Sequence, residues 1–583
     1  MARFDLQGSP VSPGVGIGRA WIPVEVGLHR IPERKLVSET SEVAIDRLMA
    51  AHKRAIEDLQ RIQSATTQEL GIQDAAIYGA QIAVLQDPDA HRNLERLVHE
   101  EKLQPESAVQ ALLDKFEGLF KNLEGGDRKN WVADLRDPWL AVIRELGSAE
   151  EDRVFESDGS GIVLIAEELT PSLVTRHHRH PLAGIICSRG GRFSHGAVLA
   201  RSFGIPTVTG IEGVHAKAES EETCLVYGDE GRAVLGATSK QEKRALGLAE
   251  ERRQVQNALA ALAIEPGRTE DGAPISIMVN IESPNDLRMF DPGISAGVGL
   301  FRTEFAYMER PAFPTVEEQA KIYESVLESF EEKPVVFRTL DIGGDKQLRY
   351  FGHPKENNPA MGWRGLRLSL EWQDLFLMQL SALVQARKHG DVRILLPMIT
   401  TVEELRRSKE LLSQVVGKAE PPPMGVMVEV PAAAMALRDI AQEADFVSVG
   451  TNDLAQYLFA VDRDNPWVAD LYQPYHPAHL RVLRYIARTC NALHKPVSVC
   501  GEMAGQLPGA LFLAGAGFGT LSIAPPFVAE VKAVLQRVSA DSLRQLANRA
   551  AACHTSSDAL SLLQVEADRL WAEVVESTSE SRS

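Results

Sequence analysis

The sequence predicts a multidomain α/β protein: a small α/β domain carrying an inserted all-helical domain, followed by a (β/α)8 TIM-type barrel. Three observations carry that expectation. The chain has 583 residues, more than one hydrophobic core ordinarily fills, so two to four domains are expected. Helical periodicity runs almost unbroken from about residue 30 to 145, between two β-rich segments. From about residue 268, short apolar runs alternate with amphipathic helices, as the strands of a parallel sheet covered on both faces do.

GSPVSPGVGIGRAW (8–21) reads as a turn followed by a short strand. In the helical region, Ile45, Leu48, Met49, His52, Ile56 and Leu59 recur at three- and four-residue spacing, which places them on one helix face. Asp87-Pro88 supplies an N-cap and a first-turn proline for the next helix but one. GIVLIAEE, AGIICS, PTVTG, TCLVYGD and GRAVLG then mark a small α/β domain whose sheet the N-terminal strand completes. The charged stretch 239–263 has mostly alanine as its apolar content and reads as a linker helix. Beyond it, ISIMVNI, AGVGLF, PVVFRTL, VRILLPMI, GVMVEV, FVSVGT and PVSVCG are seven barrel strands. The fourth strand has no clear place, and GWRGLRLSL is the ambiguous stretch.

A formal net charge of −18 argues against nucleic acid and anionic membrane as general partners. No apolar run approaches the ~18 residues of a membrane span, and MARFDLQGSP lacks the character of a secretion signal. The five cysteines are scattered without a CxxC pair, which argues against a disulfide framework or a zinc site and fits a reducing cytoplasm.

In a barrel of this kind the residues just past each strand share one mouth. Those positions hold Asn280, Arg302, Arg338, Glu429, Asn452, Asp453 and Cys500. Arg463 is expected on the loop after the seventh strand, and Lys346 and Arg364 on loops after the third or fourth. Two guanidinium groups ~4 Å apart at an effective dielectric of ~20 repel by roughly 4 kcal/mol, so gathering several requires an anion. Guanidinium forks match phosphate and carboxylate oxygens, and Glu429 with Asp453 offers hard oxygen ligands to Mg²⁺. The implied ligand is a small phosphorylated carboxylate bound through a metal. Cys500, as an unperturbed thiol with a pKa of about 8.5, is protonated at neutral pH and able to give a proton to carbon.

His195 follows GGRFS and opens the apolar helical pattern of GAVLARS. The unpaired N–H groups and partial positive charge of a helix start favour a phosphoryl group there and disfavour protonation of the ring. A neutral imidazole is what a nucleophile must be. Arg192 and Arg201 lie within reach of a charged adduct by spacing.

These stretches, together with LTPS (169–172), GVGLFRTEF, RTLDIGGDK, NNPAMGWRGLR, GVMVEVPAA, VGTNDLAQY, AVDRDN and CGEMAG, carry a resemblance over nearly the whole chain. The sequence resembles the phosphoenolpyruvate-utilising enzymes with a swivelling phosphohistidine domain, and among them the enzyme I family of the phosphoenolpyruvate:sugar phosphotransferase system. The resemblance implies that His195 is the phosphorylated histidine. It implies that Arg302, Arg338 and Arg463, with Asn452 and Asp453 beside them, hold phosphoenolpyruvate. Glu429 and Asp453 match the Mg²⁺ ligands, and Cys500 the acid that protonates enolpyruvate. The phosphocarrier HPr is the implied acceptor, docking on the helical insert, and a homodimer through the barrel is implied as well.

The expected domains are 1–25 with 148–237 (swivelling phosphohistidine domain), 26–147 (HPr-docking insert), 238–266 (linker helix), 267–575 (phosphoenolpyruvate-binding barrel) and 576–583 (disordered tail). Transfer from the barrel to HPr then requires rotation about the linker. Phe193 stands where that family usually has threonine, and Gly196 where threonine or alanine is common, so two hydroxyls that could bond the histidine or its phosphate are missing. A dikinase or synthase would need a nucleotide-binding domain ahead of His195, and no glycine-rich phosphate loop occurs there. A purely sensory protein would not need the full set of arginines, carboxylates and thiol. Whether the relay serves sugar uptake or regulation is open at this level.

Overall fold

The computed structural model describes residues 3–23, 31–37, 39–69, 72–120, 128–147, 161–177, 180–191, 194–288, 290–308, 312–343, 348, 350–352, 356–463, 465 and 467–580. The chain divides into two compact units, Met1–Arg253 and Gln254–Ser583.

The first unit is built on an eight-stranded sheet. Three of its strands come from the N-terminal segment, where the sequence suggested one: β1 (Phe4–Gln7), β2 (Ser9–Ser12) and β3 (Val15–Trp21). The remaining five are β4 (Ile162–Glu168), β5 (Leu182–Arg189), β6 (Thr207–Thr209), β7 (Thr223–Tyr227) and β8 (Arg232–Leu235), which match the five β-rich runs. Their order is β1-β8-β7-β3-β4-β5-β6-β2. β3 to β6 pair in parallel, while β1, β2, β7 and β8 pair antiparallel.

Between the neighbouring strands β3 and β4 the chain makes five helices, α1 (Ser41–Glu69), α2 (Ile72–Leu85), α3 (Pro88–His99), α4 (Pro105–Phe120) and α5 (Arg128–Leu146), so the helical domain is an insertion. α1 buries Leu48, His52 and Leu59, with Ile45, Met49 and Ile56 half-buried beside them. The Asp87 carboxylate caps α3 by accepting the Asp89 N–H at 2.8 Å. The insert is fastened to α6 (Pro171–His177) at buried polar contacts. Asp137 of α5 accepts the Ser172 N–H and the Gln81 amide, and Tyr78 of α2 bonds Thr175.

The domain also holds α7 (His195–Ser202), α8 (Val214–Lys217) and the start of α9 (Ser239–Ile264), within which the division between the units falls. In the first unit Ala245 packs on β7 and β8, and Arg252 pairs with Asp229. In the second, Leu259 and Ala263 are buried and the Lys532 ammonium donates to the Ala263 carbonyl.

The second unit is a closed barrel of eight parallel strands. They are β9 (Ser276–Ile281), β10 (Val298–Arg302), β11 (Val335–Arg338), β12 (Val392–Leu396), β13 (Met424–Val428), β14 (Val447–Val449), β15 (Val497–Val499) and β16 (Thr520–Ile523). Alternation sorts each strand's residues: Leu300, Val336, Leu395 and Met427 pack together with Cys500 inside the barrel, while Phe301, Phe337, Ile394 and Val426 join the core under the helices.

The strand that the sequence left unplaced is the eighth, β16, and VRILLPMI holds the fourth. GWRGLRLSL contributes the helix Leu366–Glu371, since a short apolar run does not separate helix from strand by period alone. Arg364 therefore follows the third barrel strand, β11, and Arg463 follows the sixth, β14, not the seventh. The expected disordered tail from 576 is also corrected: the last helix runs Ser556–Glu580, and of that tail only 581–583 lie outside the described residues.

Burial lowers the His479 imidazole to about 4, the opposing hydrogen bond to the Pro474 carbonyl being weaker. The folded state thus holds this ring neutral while the unfolded chain protonates below about pH 6.5. The stability it contributes is complete above pH 6.5 and is lost as the pH falls toward 4. Relative to His479→Gln, the wild-type advantage in urea unfolding is expected to shrink by about 2–3 kcal/mol between pH 6.5 and 4.5. A constant difference over that window would contradict the assignment.

Candidate active site

The barrel strands end where the charged side chains begin. Arg302 closes β10, Arg338 closes β11, Glu429 follows β13, Asn452 and Asp453 open the helix Thr451–Phe459 after β14, and Cys500 follows β15. All six line one cavity of about 330 Å³, together with Arg364 and Arg463. Asn280 is not among the residues lining the cavity; its amide donates to the Cys500 carbonyl at 3.1 Å. Lys346 lies outside the described residues.

The arginines are held by carboxylates that sequence reasoning missed. Arg338 donates to Glu304 at 2.9 Å and pairs with Asp341 at 3.3 Å, and its side chain is only 8% exposed. Arg364 pairs with Asp341 at 2.9 Å and with Asp453 at 3.3 Å, and donates to the Tyr457 hydroxyl. Arg302 pairs with Glu282. Burial works against the Arg338 charge, but Glu304, Asp341 and Glu429 outweigh it and raise its pKa further. For Glu429 the balance is reversed: burial, then Asp453 and Asp341, raise its carboxyl despite Arg338 and Arg364. The Met398 N–H fixes one Glu429 oxygen at 2.6 Å. The cavity therefore combines carboxylates, Glu429 and Asp453 among them, with fixed guanidinium groups, an arrangement suited to an anion held together with a divalent cation.

The Cys500 thiol is pushed up to about 11, by burial first and Glu429 after it, while the Ser448 hydroxyl, Arg338 and Arg302 act the other way. The thiol is thus protonated at neutral pH and is not a standing thiolate.

His195 is the first residue of α7. The Ser194 side chain caps this helix by accepting the Ala197 N–H at 3.3 Å. The His195 side chain, Arg192 and Phe193 lie outside the described part of the structure. Arg201, expected near an adduct by spacing, donates to the Val11 carbonyl of β2. At Gly196 a Cβ would fall 2.6 Å from the Leu169 carbonyl oxygen, so α7 approaches the LTPS turn too closely for a side chain. Gly196→Thr, which puts back a hydroxyl, is accordingly expected to lower stability by about 1–3 kcal/mol in thermal unfolding. An unchanged melting temperature would show that the turn yields freely.

Three family models match the chain: "PEP-utilising enzyme, N-terminal" over residues 7–127, "PEP-utilising enzyme, mobile domain" over 159–231, and "PEP-utilising enzyme, PEP-binding domain" over 256–540. The phosphoenolpyruvate-protein phosphotransferase of Lactococcus lactis is 33% identical over 571 residues, covering 96% of this chain and 99% of that one. That of Geobacillus stearothermophilus is 35% identical, covering 96% and 97%. The chain belongs to the phosphoenolpyruvate-protein phosphotransferase family, enzyme I. The Priestia megaterium member is 36% identical over 548 residues, covering 92% of this chain and 94% of its own. Enzyme I is a phosphotransferase, and in this enzyme I the mobile-domain match contains His195 while the PEP-binding match contains the whole cavity.

Proposed function

We propose that phosphoenolpyruvate binds in the barrel cavity, that its phosphoryl group passes to His195 and then to a histidine of HPr, and that pyruvate is released, as the first general step of sugar uptake in the cytoplasm. The observation that carries this reading is the convergence of Arg302, Arg338, Arg364 and Arg463 with Glu429, Asp453 and Cys500 on one cavity.

Glu429 and Asp453 suit Mg²⁺, which takes few protein carboxylates and keeps the rest of its shell for water and substrate oxygens. Glu429 and Asp453 would hold the cation, whose charge would offset the repulsion between them and polarise the bound substrate. The remaining work falls to the chain. Arg302, Arg338 and Arg463 neutralise the phosphoryl and carboxylate oxygens as charge spreads in the transition state. Neutral His195 attacks phosphorus in line, and Cys500 gives its proton to the methylene carbon of the departing enolpyruvate.

That route brings His195 to the cavity and then to the carrier, an excursion assigned to α9, the covalent link between the two units. HPr docks on the helical insert, so adding it should shift backbone amide signals of α1–α5 and leave those of the barrel in place. The homodimer through the barrel draws support from Trp467, 91% exposed, and Leu471, 58% exposed, on the loop beyond Arg463. Sedimentation of Trp467→Glu as a monomer is the corresponding result.

The reading as a whole is tested by mixing the protein with phosphoenolpyruvate and Mg²⁺. One pyruvate per chain is expected in a first burst, with steady release once HPr is supplied. Absence of the burst would end it.

A further inference from the structure

Cys500 is held from three neighbouring parts of the barrel. On the side of β14, the buried Ser448 hydroxyl donates to the Cys500 sulfur at 3.3 Å. The thiol itself points to the Val449 carbonyl, 3.6 Å away. At the backbone, Asn280 of β9 donates its amide N–H to the Cys500 carbonyl at 3.1 Å, and its amide oxygen accepts from Ser522 of β16 at 2.6 Å. Gly299 of β10 leaves room for that last hydroxyl, since a Cβ there would fall 2.3 Å from the Ser522 oxygen. Polar side chains inside a barrel of apolar layers are costly to bury without a purpose; here Ser448 and Asn280 reach Cys500 directly, and Ser522 reaches it through Asn280.

We propose that Ser448, Asn280 and Ser522 are positioning residues that fix the Cys500 sulfur and stabilise the thiolate left when its proton is given to enolpyruvate. This inference rests on the assignment of Cys500 as the acid. In the step, the S–H bond breaks and a C–H bond forms at the methylene carbon. The C=C pair takes the proton, the enolate oxygen becomes a ketone, and the negative charge moves to sulfur. Water returns a proton to the thiolate after pyruvate leaves.

The backbone tether keeps the sulfur in place while the S–H turns from Val449 toward the cavity. The Ser448 hydroxyl bonds a thiolate more strongly than a thiol, so its effect is greatest after proton transfer. The direction of its influence on the thiol pKa agrees, opposing the upward push of burial.

The test isolates the proton step. In D₂O with Mg²⁺ and pyruvate, proton NMR follows exchange of the pyruvate methyl hydrogens, which needs no phosphoryl transfer. Wild type is expected to exchange and Cys500→Ala to fail. Ser448→Ala is expected to slow exchange about ten- to a hundredfold, with Asn280→Ala between it and wild type. Peptide-resolved alkylation of Cys500 by iodoacetamide should show its pH inflection moved upward in Ser448→Ala, and the KM for phosphoenolpyruvate unchanged. A merely structural role would move KM and leave the inflection in place, and that result overturns the proposal. Exchange in Ser448→Ala at the wild-type rate overturns it too. Equal exchange by wild type and Cys500→Ala would instead remove the assignment of Cys500 as the acid, and the proposal with it.

Discussion

Methionine in place of Arg338 is expected to destabilise the barrel unit by about 3–5 kcal/mol and to abolish measurable turnover. The guanidinium is buried and pairs with two buried carboxylates, Glu304 at 2.9 Å and Asp341 at 3.3 Å. Asp341 keeps Arg364 at 2.9 Å. Glu304 keeps the Asp341 N–H at 3.0 Å but loses its cation. Most of the cost is therefore assigned to Glu304. Adding Glu304→Gln to Arg338→Met removes the stranded charge and should recover most of the stability without recovering activity. Urea midpoints of the two single variants and the double variant, set beside pyruvate release, separate the two roles. A double variant no more stable than Arg338→Met would place the cost elsewhere.

Asp453→Asn should leave the fold intact and reduce the phosphoenolpyruvate-dependent rate by about 100- to 1000-fold. The change conserves shape, and Arg364 retains Asp341 as its ion-pair partner. What is lost is a carboxylate proposed, with Glu429, to hold the metal, so half-maximal rate is also expected at a higher Mg²⁺ concentration. Titrating the rate with Mg²⁺ in wild type and variant checks this. Equal metal dependence in the two would remove Asp453 from the metal site.

Much of this arrangement was legible in the sequence because parallel barrel strands announce themselves as short apolar runs, and the residue after each run falls at the mouth. Arg302, Arg338, Glu429, Asp453 and Cys500 were found in that way. The missed carboxylates, Glu304 and Asp341, lie two and three residues beyond strand-end arginines, within FRTEF and RTLDIGG. For Asp341 the signal was there, since an arginine buried at a strand end needs a partner and the acid three residues on supplies it. Glu304 pairs instead with Arg338 of the neighbouring strand, while Arg302 takes Glu282, and nothing local marks either pairing.

β16 escaped because TLSI is four residues long and follows the glycine-rich GAGFG. The extra N-terminal strands escaped for a different reason. FDLQ is largely exposed, SPVS contains a proline, and both pair with strands about 200 residues away. Nothing local marks such pairings. The polar end of the last helix reads as disorder for the same cause, since ESTSE shows no apolar face. Gly196 could be seen as a departure from the related sequences, but not that a backbone carbonyl occupies the space of its side chain.

The proposed mechanism turns on the passage of phosphate from the barrel cavity to one imidazole in the other unit. Incubation with ³²P-labelled phosphoenolpyruvate and Mg²⁺, followed by peptide mapping at alkaline pH, reads that passage directly. Acid-labile label on the peptide carrying His195, and none in His195→Ala, is the predicted result. Label that persists in His195→Ala, or that maps to another residue, would contradict it.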